Sequence, residues 1–261
     1  MPITFQHKPG LVAYLTCGDP DLETSREVAL AAIAAGADVL ELGVPFSDPV
    51  ADGPVIQAAS DRALKNGVKL GDVLKLASDV RKHAPQAGLI VFSYFNPILR
   101  YGLERFCEDA AQAGVDGALL TDLPVEEADS YIRLMRSRNQ ATVFLAAPTS
   151  TDERLKSVCE ASTGFVYAVS RTGVTGLRQQ LAADAGALVR RLRQFTQLPI
   201  AVGFGVSNPQ QFAEVGAFAD AAVVGTAIVQ LIERSGPRGA PRAVAEFIGG
   251  LRAGTQAAVK A

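Results

Sequence analysis

The chain has 261 residues, 48% apolar and 20% charged, with a formal net charge of −2, as expected of an ordinary soluble globular protein long enough for a full hydrophobic core. The near-neutral balance leaves no electrostatic footprint for nucleic acid or acidic membranes. Cys17, Cys107 and Cys159 stand far apart without CxxC spacing, which argues against a disulfide framework or zinc site and suits a reducing cytoplasm.

In chain order, a strand is predicted over Leu11–Leu15 and a helix over Ser25–Ala35. A second strand, Val39–Leu42, leads through a Gly-, Pro- and Ser-rich connection to a helix-like stretch after Asp52, then to a helix over Leu70–Lys82. Strand Leu89–Phe92, helix Leu103–Ala113, strand Gly117–Leu120 and helix Val125–Arg138 follow. Strands Thr142–Leu145 and Phe165–Val169 precede helix Ala182–Phe195, strand Ile200–Val202, helix Pro209–Val215 and strand Ala221–Val224. The segment Arg238–Ala261 reads as a last helix with a frayed Ala/Lys tail. Most of these strands lack polar alternation, so both faces are buried, as in a parallel sheet flanked by helices.

An internal echo supports a repeated unit. Ala35-Gly36-Ala37-Asp38-Val39, Ala113-Gly114-Val115-Asp116-Gly117 and Val215-Gly216-Ala217-Phe218-Ala219-Asp220-Ala221 each end a helix pattern with a glycine and a polar turn. Asp38 and Asp116 stand 78 residues apart, two units of about 39, the size of a βα repeat. Eight such units without a linker predict a single (β/α)8 TIM-barrel domain over residues 1–261. A doubly wound open sheet is the alternative, disfavoured because no GxGxxG follows the first strand.

In a barrel, strand C-termini and the loops after them form the active face. Glu41 ends the second strand and Asp52 lies on the loop after it. A glutamate beside Leu40 and Leu42 is costly to bury unless paired or neutral, and two acids in unlike environments can hold an acid and a base together. A salt-bridged Glu and a helix-capping Asp are the competing reading. Glycine corners recur late in the chain: Ser170 to Gly176, Gly203-Phe204-Gly205 and Gly225-Thr226-Ala227. Glycines let backbone N–H groups approach an anion, and a helix starting after Thr226 aims its positive end there, so a phosphate site is expected. Arg171 and the two threonines of the 170–176 segment read as a lid. Tyr14, Phe92, Tyr94, Leu120, Tyr167 and Phe204 can supply an apolar slot for a flat ring, although aromatics at strand ends are also ordinary core. Cys17 reads as a small buried side chain. His7 and His83 read as loop residues without a metal or triad partner. No basic-then-apolar leader and no membrane-spanning apolar run are seen, so a metal-free cytoplasmic enzyme is expected.

The segment Leu40 to Gly53 resembles the signature of the tryptophan synthase alpha chain family. The resemblance extends through Leu15 to Pro20, Tyr94 to Pro97, Thr121 to Glu127, Ala147 to Thr149, Ser170 to Gly176, Gly203 to Gly205 and Val224 to Val229, in the expected order over about positions 10 to 234. It implies a (β/α)8 barrel lyase cleaving indole-3-glycerol phosphate to indole and glyceraldehyde 3-phosphate. Glu41 and Asp52 match the catalytic acids, and Tyr14, Tyr94 and Tyr167 the indole-pocket positions. Gly176, Gly205, Gly225 and Thr226 match phosphate-binding positions, and Thr175 the lid threonine.

The resemblance also implies a beta-chain partner, docked around Asp48 and the loops after the third and fourth strands in an αββα heterotetramer. Pyridoxal phosphate is expected in that beta chain and no cofactor in this one. Thr226 stands where the family has serine, Cys17 where it has a smaller residue, and little chain precedes the first strand to plug the barrel bottom. The alternatives are a stand-alone lyase of the same family, another phosphate-binding barrel and a non-catalytic subunit that senses a phosphate ligand.

Overall fold

A computed structural model describes residues 3–169, 178–203 and 205–258. Eight parallel strands, β1 (Gly10–Thr16), β2 (Val39–Gly43), β3 (Gly88–Ser93), β4 (Gly117–Leu120), β5 (Ala141–Ala146), β6 (Val166–Val169), β7 (Ile200–Gly203) and β8 (Ala221–Val224), pair in sequence order. β8 closes on β1 through the register Val12↔Val223. Around the barrel run α1 (Leu22–Ala34), α2 (Pro54–Lys65), α3 (Leu70–His83), α4 (Phe95–Tyr101), α5 (Leu103–Gln112), α6 (Asp129–Ser137), α7 (Asp152–Ala161), α8 (Arg178–Leu192), α9 (Pro209–Gly216) and α10 (Thr226–Ala258). The arrangement is the expected TIM barrel.

Alternation along each strand sorts side chains between two layers. Leu11, Ala13, Leu15, Leu40, Leu42, Leu89, Val91 and Phe144 face the helices in the outer core. Val12, Val39, Ile90, Leu119, Val143, Phe165, Ala201 and Val223 fill the barrel interior. No plugging helix is needed at the bottom: Ile3 and Phe5 pack into the interior cluster, Phe5 edge-on to Phe165 with centroids 6.0 Å apart.

Several boundaries differ from expectation for local reasons. α1 begins three residues early because Asp21 caps it, accepting the Thr24 N–H at 2.7 Å. The stretch predicted as one helix over 125–138 splits into a 3-10 turn at Val125–Glu127 and α6. The last helix starts at Thr226 and kinks at Gly236, whose φ of 63° suits glycine. α4 and α7 were not anticipated.

The echoed aspartates prove to be strand clamps. Asp38 accepts the Leu11 N–H of β1 at 2.8 Å, Asp116 the Leu89 N–H of β3 at 2.8 Å, and Asp220 the Ile200 N–H of β7 at 2.7 Å. Each aspartate, placed just before the next strand, also takes an arginine: Arg252 of α10, Arg81 of α3 and Arg193 just after α8, respectively. Each arginine in turn donates to the carbonyl just before its own strand, that of Pro9, Ala87 or Leu198. Between β5 and β6 hydroxyls take over: Thr163 accepts the Thr142 N–H at 2.9 Å and Ser162 that of Phe144 at 3.3 Å. His7, expected as a loop residue, belongs to the first clamp, with Nδ1 2.7 Å from Asp38.

The clamps differ in burial: the Asp38 side chain is 1% exposed and its Arg252 partner 13%, whereas Asp116 and Asp220 are 43% and 37% exposed. Removing one member of a buried pair strands the other charge, so Asp38→Ala is expected to cost about 3–5 kcal/mol. Asp116→Ala and Asp220→Ala, half in water, are expected to cost about 1–2 kcal/mol. Denaturant unfolding of the three variants checks that order.

Candidate active site

Glu41 lies in the middle of β2, in register with Tyr14 of β1 and Ile90 of β3. Alternation with Val39 turns it inward, and it is 0% exposed. Neither carboxyl oxygen accepts a hydrogen bond among the described residues. The salt-bridge reading of this residue therefore finds no partner there. Burial disfavours the charged form and pushes Glu41 up to about 8.

Asp52 sits on the connection from β2 to α2. Gly53 is the N-cap of α2 and Pro54 its first residue, a position where a missing N–H costs nothing. The Asp52 side chain does not cap the helix; its Oδ2 accepts the Tyr94 hydroxyl at 3.0 Å. The same phenol oxygen accepts the Ala51 N–H at 2.8 Å. Partial burial raises the Asp52 carboxyl, and the Tyr94 hydrogen bond opposes that rise.

Around the two acids stands an aromatic wall. Tyr14 meets Phe92 edge-on with centroids 5.1 Å apart, and Tyr94 meets Phe46 at the same separation. Burial pushes the Tyr14 and Tyr167 phenols upward, and both also feel the charges of Asp52 and Glu41. The tyrosines and the acids thus share one region of the barrel mouth. Leu120, a candidate for this slot, instead faces the helices in the outer core.

Gly43 of β2 was not singled out in sequence and Gly203 of β7 was expected only as part of a phosphate corner, yet each makes room for a tyrosine. A Cβ on Gly43 would stand 2.5 Å from the Tyr14 hydroxyl, and one on Gly203 2.5 Å from that of Tyr167. Each glycine ends an inward-facing series, and this is the signal that could have revealed it. A second unanticipated feature is Arg62 of α2, which grips buried Asp19 with both forks at 2.7 and 2.8 Å and reaches Glu233 of α10 at 2.8 Å. It ties the loop after β1 to two helices at the mouth. Cys17 on that loop is buried as expected, its thiol pushed up by desolvation.

The glycines expected to form an anion corner lie on neighbouring strand ends. Gly205, after β7, has φ 76° and open space where a side chain would begin. Gly225, after β8, abuts Tyr14, and its carbonyl accepts the Val229 N–H at 3.0 Å. Thr226 opens α10 and is exposed, so a hydroxyl and free backbone donors meet at one helix N-terminus. Thr175, Gly176 and Phe204, with the rest of the expected lid, lie outside the described residues.

Residues 3–255 match the family described as tryptophan synthase alpha chain. The chain belongs to this family. It is 52% identical to the tryptophan synthase alpha chain of Solibacter usitatus over 88% of this chain and 86% of that one. Among solved structures, it is similar to tryptophan synthase subunit alpha from Legionella pneumophila, with 34% identity, a TM-score of 0.87, and 95% and 93% of the two chains covered. It is likewise similar to a chain of the tryptophan synthase complex from Pyrococcus furiosus, with 38% identity, a TM-score of 0.86, and 94% and 98% covered. Membership makes the protein an enzyme of tryptophan biosynthesis, a lyase. No helix among the described residues is long and apolar enough to cross a membrane.

The buried acid carries a stability signature. Its value of about 8 in the folded protein lies above the ordinary 4.5, so the fold holds a proton that the unfolded chain releases. The stability this proton supplies is full below pH 4.5 and is lost as pH rises through about 8. Glu41→Gln removes the titration. Thermal melts of variant and parent are expected to show the variant's relative Tm rising between pH 5 and pH 9.

Proposed function

We propose that this chain cleaves indole-3-glycerol phosphate by a retro-aldol reaction, releasing indole and glyceraldehyde 3-phosphate, as the alpha subunit of a tryptophan synthase. The observation that carries the reading is Glu41: a buried acid with no hydrogen-bond partner among the described residues, protonated at neutral pH, in a barrel mouth that also holds an ionisable Asp52 and an aromatic wall.

The reaction needs a proton on indole C3, giving an indolenine, and then a base for the glyceryl hydroxyl proton as the C–C bond breaks. Protonated Glu41 donates to C3, and the resulting carboxylate takes the hydroxyl proton, so the residue returns to its starting state. Asp52 accepts the ring N–H and stabilises the positive charge that develops there. Tyr14, Phe92 and Tyr167 line the ring, with Gly43 and Gly203 admitting the phenols. Gly205, Gly225 and Thr226 hold the phosphate together with Gly176, while Thr175 of the lid engages Asp52 on closure. The distant phosphate supplies binding energy that orients the reacting carbon.

Glu41→Gln and Asp52→Asn are each expected to lower indole release by roughly 10²–10⁴-fold, read with indole-3-glycerol phosphate and purified protein. Near-normal turnover in either variant would overturn the assignment. For the parent enzyme, kcat/KM is expected to fall on the alkaline side as Glu41 loses its proton near about 8, an inflection absent from the residual activity of Glu41→Gln.

A beta chain carrying pyridoxal phosphate is the proposed partner, consistent with the tryptophan synthase complex known for the Pyrococcus furiosus relative. Val50, beside Asp48, is 86% exposed and Leu99 on α4 is 52% exposed, and this apolar surface supports the docking face that the resemblance implies. Co-purification with the beta chain and a large rise in lyase turnover on its addition are expected. Full activity without activation would favour the stand-alone lyase.

A further inference from the structure

We infer that Tyr94 is a positioning residue that fixes the Asp52 carboxylate to the barrel wall and keeps it ionised for its work on the substrate. The inference rests on the reading of Asp52 given above and extends it to a residue that the sequence placed only as pocket lining.

Asp52 and Tyr94 have unequal supports. Asp52 is on a loop, whereas Tyr94 stands at the end of β3 and is the N-cap of α4. Its ring is 2% exposed and lies against Phe46. A side chain held by packing on regular elements can orient one that is not. The phenol makes two hydrogen bonds to the acid loop, accepting the Ala51 N–H at 2.8 Å and donating to Asp52 Oδ2 at 3.0 Å. The Thr121 side chain supports it from the loop after β4. The Asp52 backbone is pinned separately, its N–H to the Pro49 carbonyl and its carbonyl to Gln57. Asp52 Oδ1 accepts no hydrogen bond among the described residues. One oxygen is thus held by the protein, and the other remains to accept a ring N–H.

The donation also sets charge. A hydrogen bond to a carboxylate favours its ionised form and offsets the burial that opposes it. Burial and the neighbouring Asp52 charge push the Tyr94 phenol upward, so it stays a donor across the working range. Glu41 on β2, at about 8, stays protonated on the acid side. Tyr14 on β1 and Tyr167 on β6 are pushed further up. Asp48 bonds Ser47, and Asp122 bonds the Phe95 amide. The acid limb of the lyase profile is read as the ionisation of Asp52, the carboxyl that faces the ring N–H.

Tyr94→Phe keeps the ring and removes the donor. The acid limb of kcat/KM for indole release is expected to move to higher pH by about one unit. Replacing Tyr94 with 3-fluorotyrosine, a stronger donor, is expected to move the limb the other way. Asp52→Asn is measured beside them. Retained turnover in Asp52→Asn overturns the role of Asp52 itself. Loss of turnover in Asp52→Asn, with an acid limb unmoved in both Tyr94 variants, overturns the positioning role alone, and so does a uniform loss at every pH. Should Tyr94→Phe fail to fold, the fluorotyrosine enzyme decides by the same reading.

Discussion

A closed parallel barrel leaves no edge through which an inward side chain can reach water from its flank, so a polar group on an inner face depends on what the interior offers. β2 places Glu41 on that face between apolar and phenolic neighbours. Nothing described there accepts its proton or donates to it. The low polarity selects the neutral acid, and a neutral acid at rest is the state a first proton transfer requires. Asp52, only one loop away, is differently placed: half in solvent and held by a phenol, it has no comparable barrier to ionising. The same pair of carboxyls thus divides into donor and charge stabiliser through surroundings alone.

The two ends of the barrel meet opposite demands. At the bottom, aspartate, arginine and backbone N–H repeat around the ring, with Ile3 and Phe5 sealing the centre. At the top, glycine replaces side chains: Gly43 and Gly203 to admit phenols, Gly205 and Gly225 to leave backbone accessible. Stability is concentrated where no substrate goes, so the mouth can hold an unpaired acid and open corners without loss of the frame.

Sequence made the frame legible because burial on both faces leaves an apolar signature in every strand, and all eight were found. α4 and α7 were harder for opposite reasons. α4 is about two turns long and contains Pro97, while the polar α7 buries only Leu155, Val158, Cys159 and Ala161. Its start was readable in Thr151, whose hydroxyl accepts the Arg154 N–H. Glu41 and Asp52 could be singled out as acids in unlike settings, but local residues alone left salt bridge and catalysis undecided, since partnership is a property of space. The Gly-to-Asp echo was visible as punctuation; its meaning as a clamp was hidden because each arginine comes from another segment. Tyr94 showed its aromatic ring but not its grip on the acid loop.

The three arginine clamps share one chemistry but close very different lengths of chain. Arg193 and Asp220 are 27 residues apart, Arg81 and Asp116 are 35, and Arg252 and Asp38 are 214. Loop-closure entropy grows with the logarithm of that span, and contacts distant in sequence slow folding. The strand pairs β3–β4 and β7–β8 can therefore lock as local units. The most buried clamp, on β1 and β2, receives its arginine only when α10 docks, so the charge on Asp38 beside the strand bearing Glu41 is the last of the three to be paired.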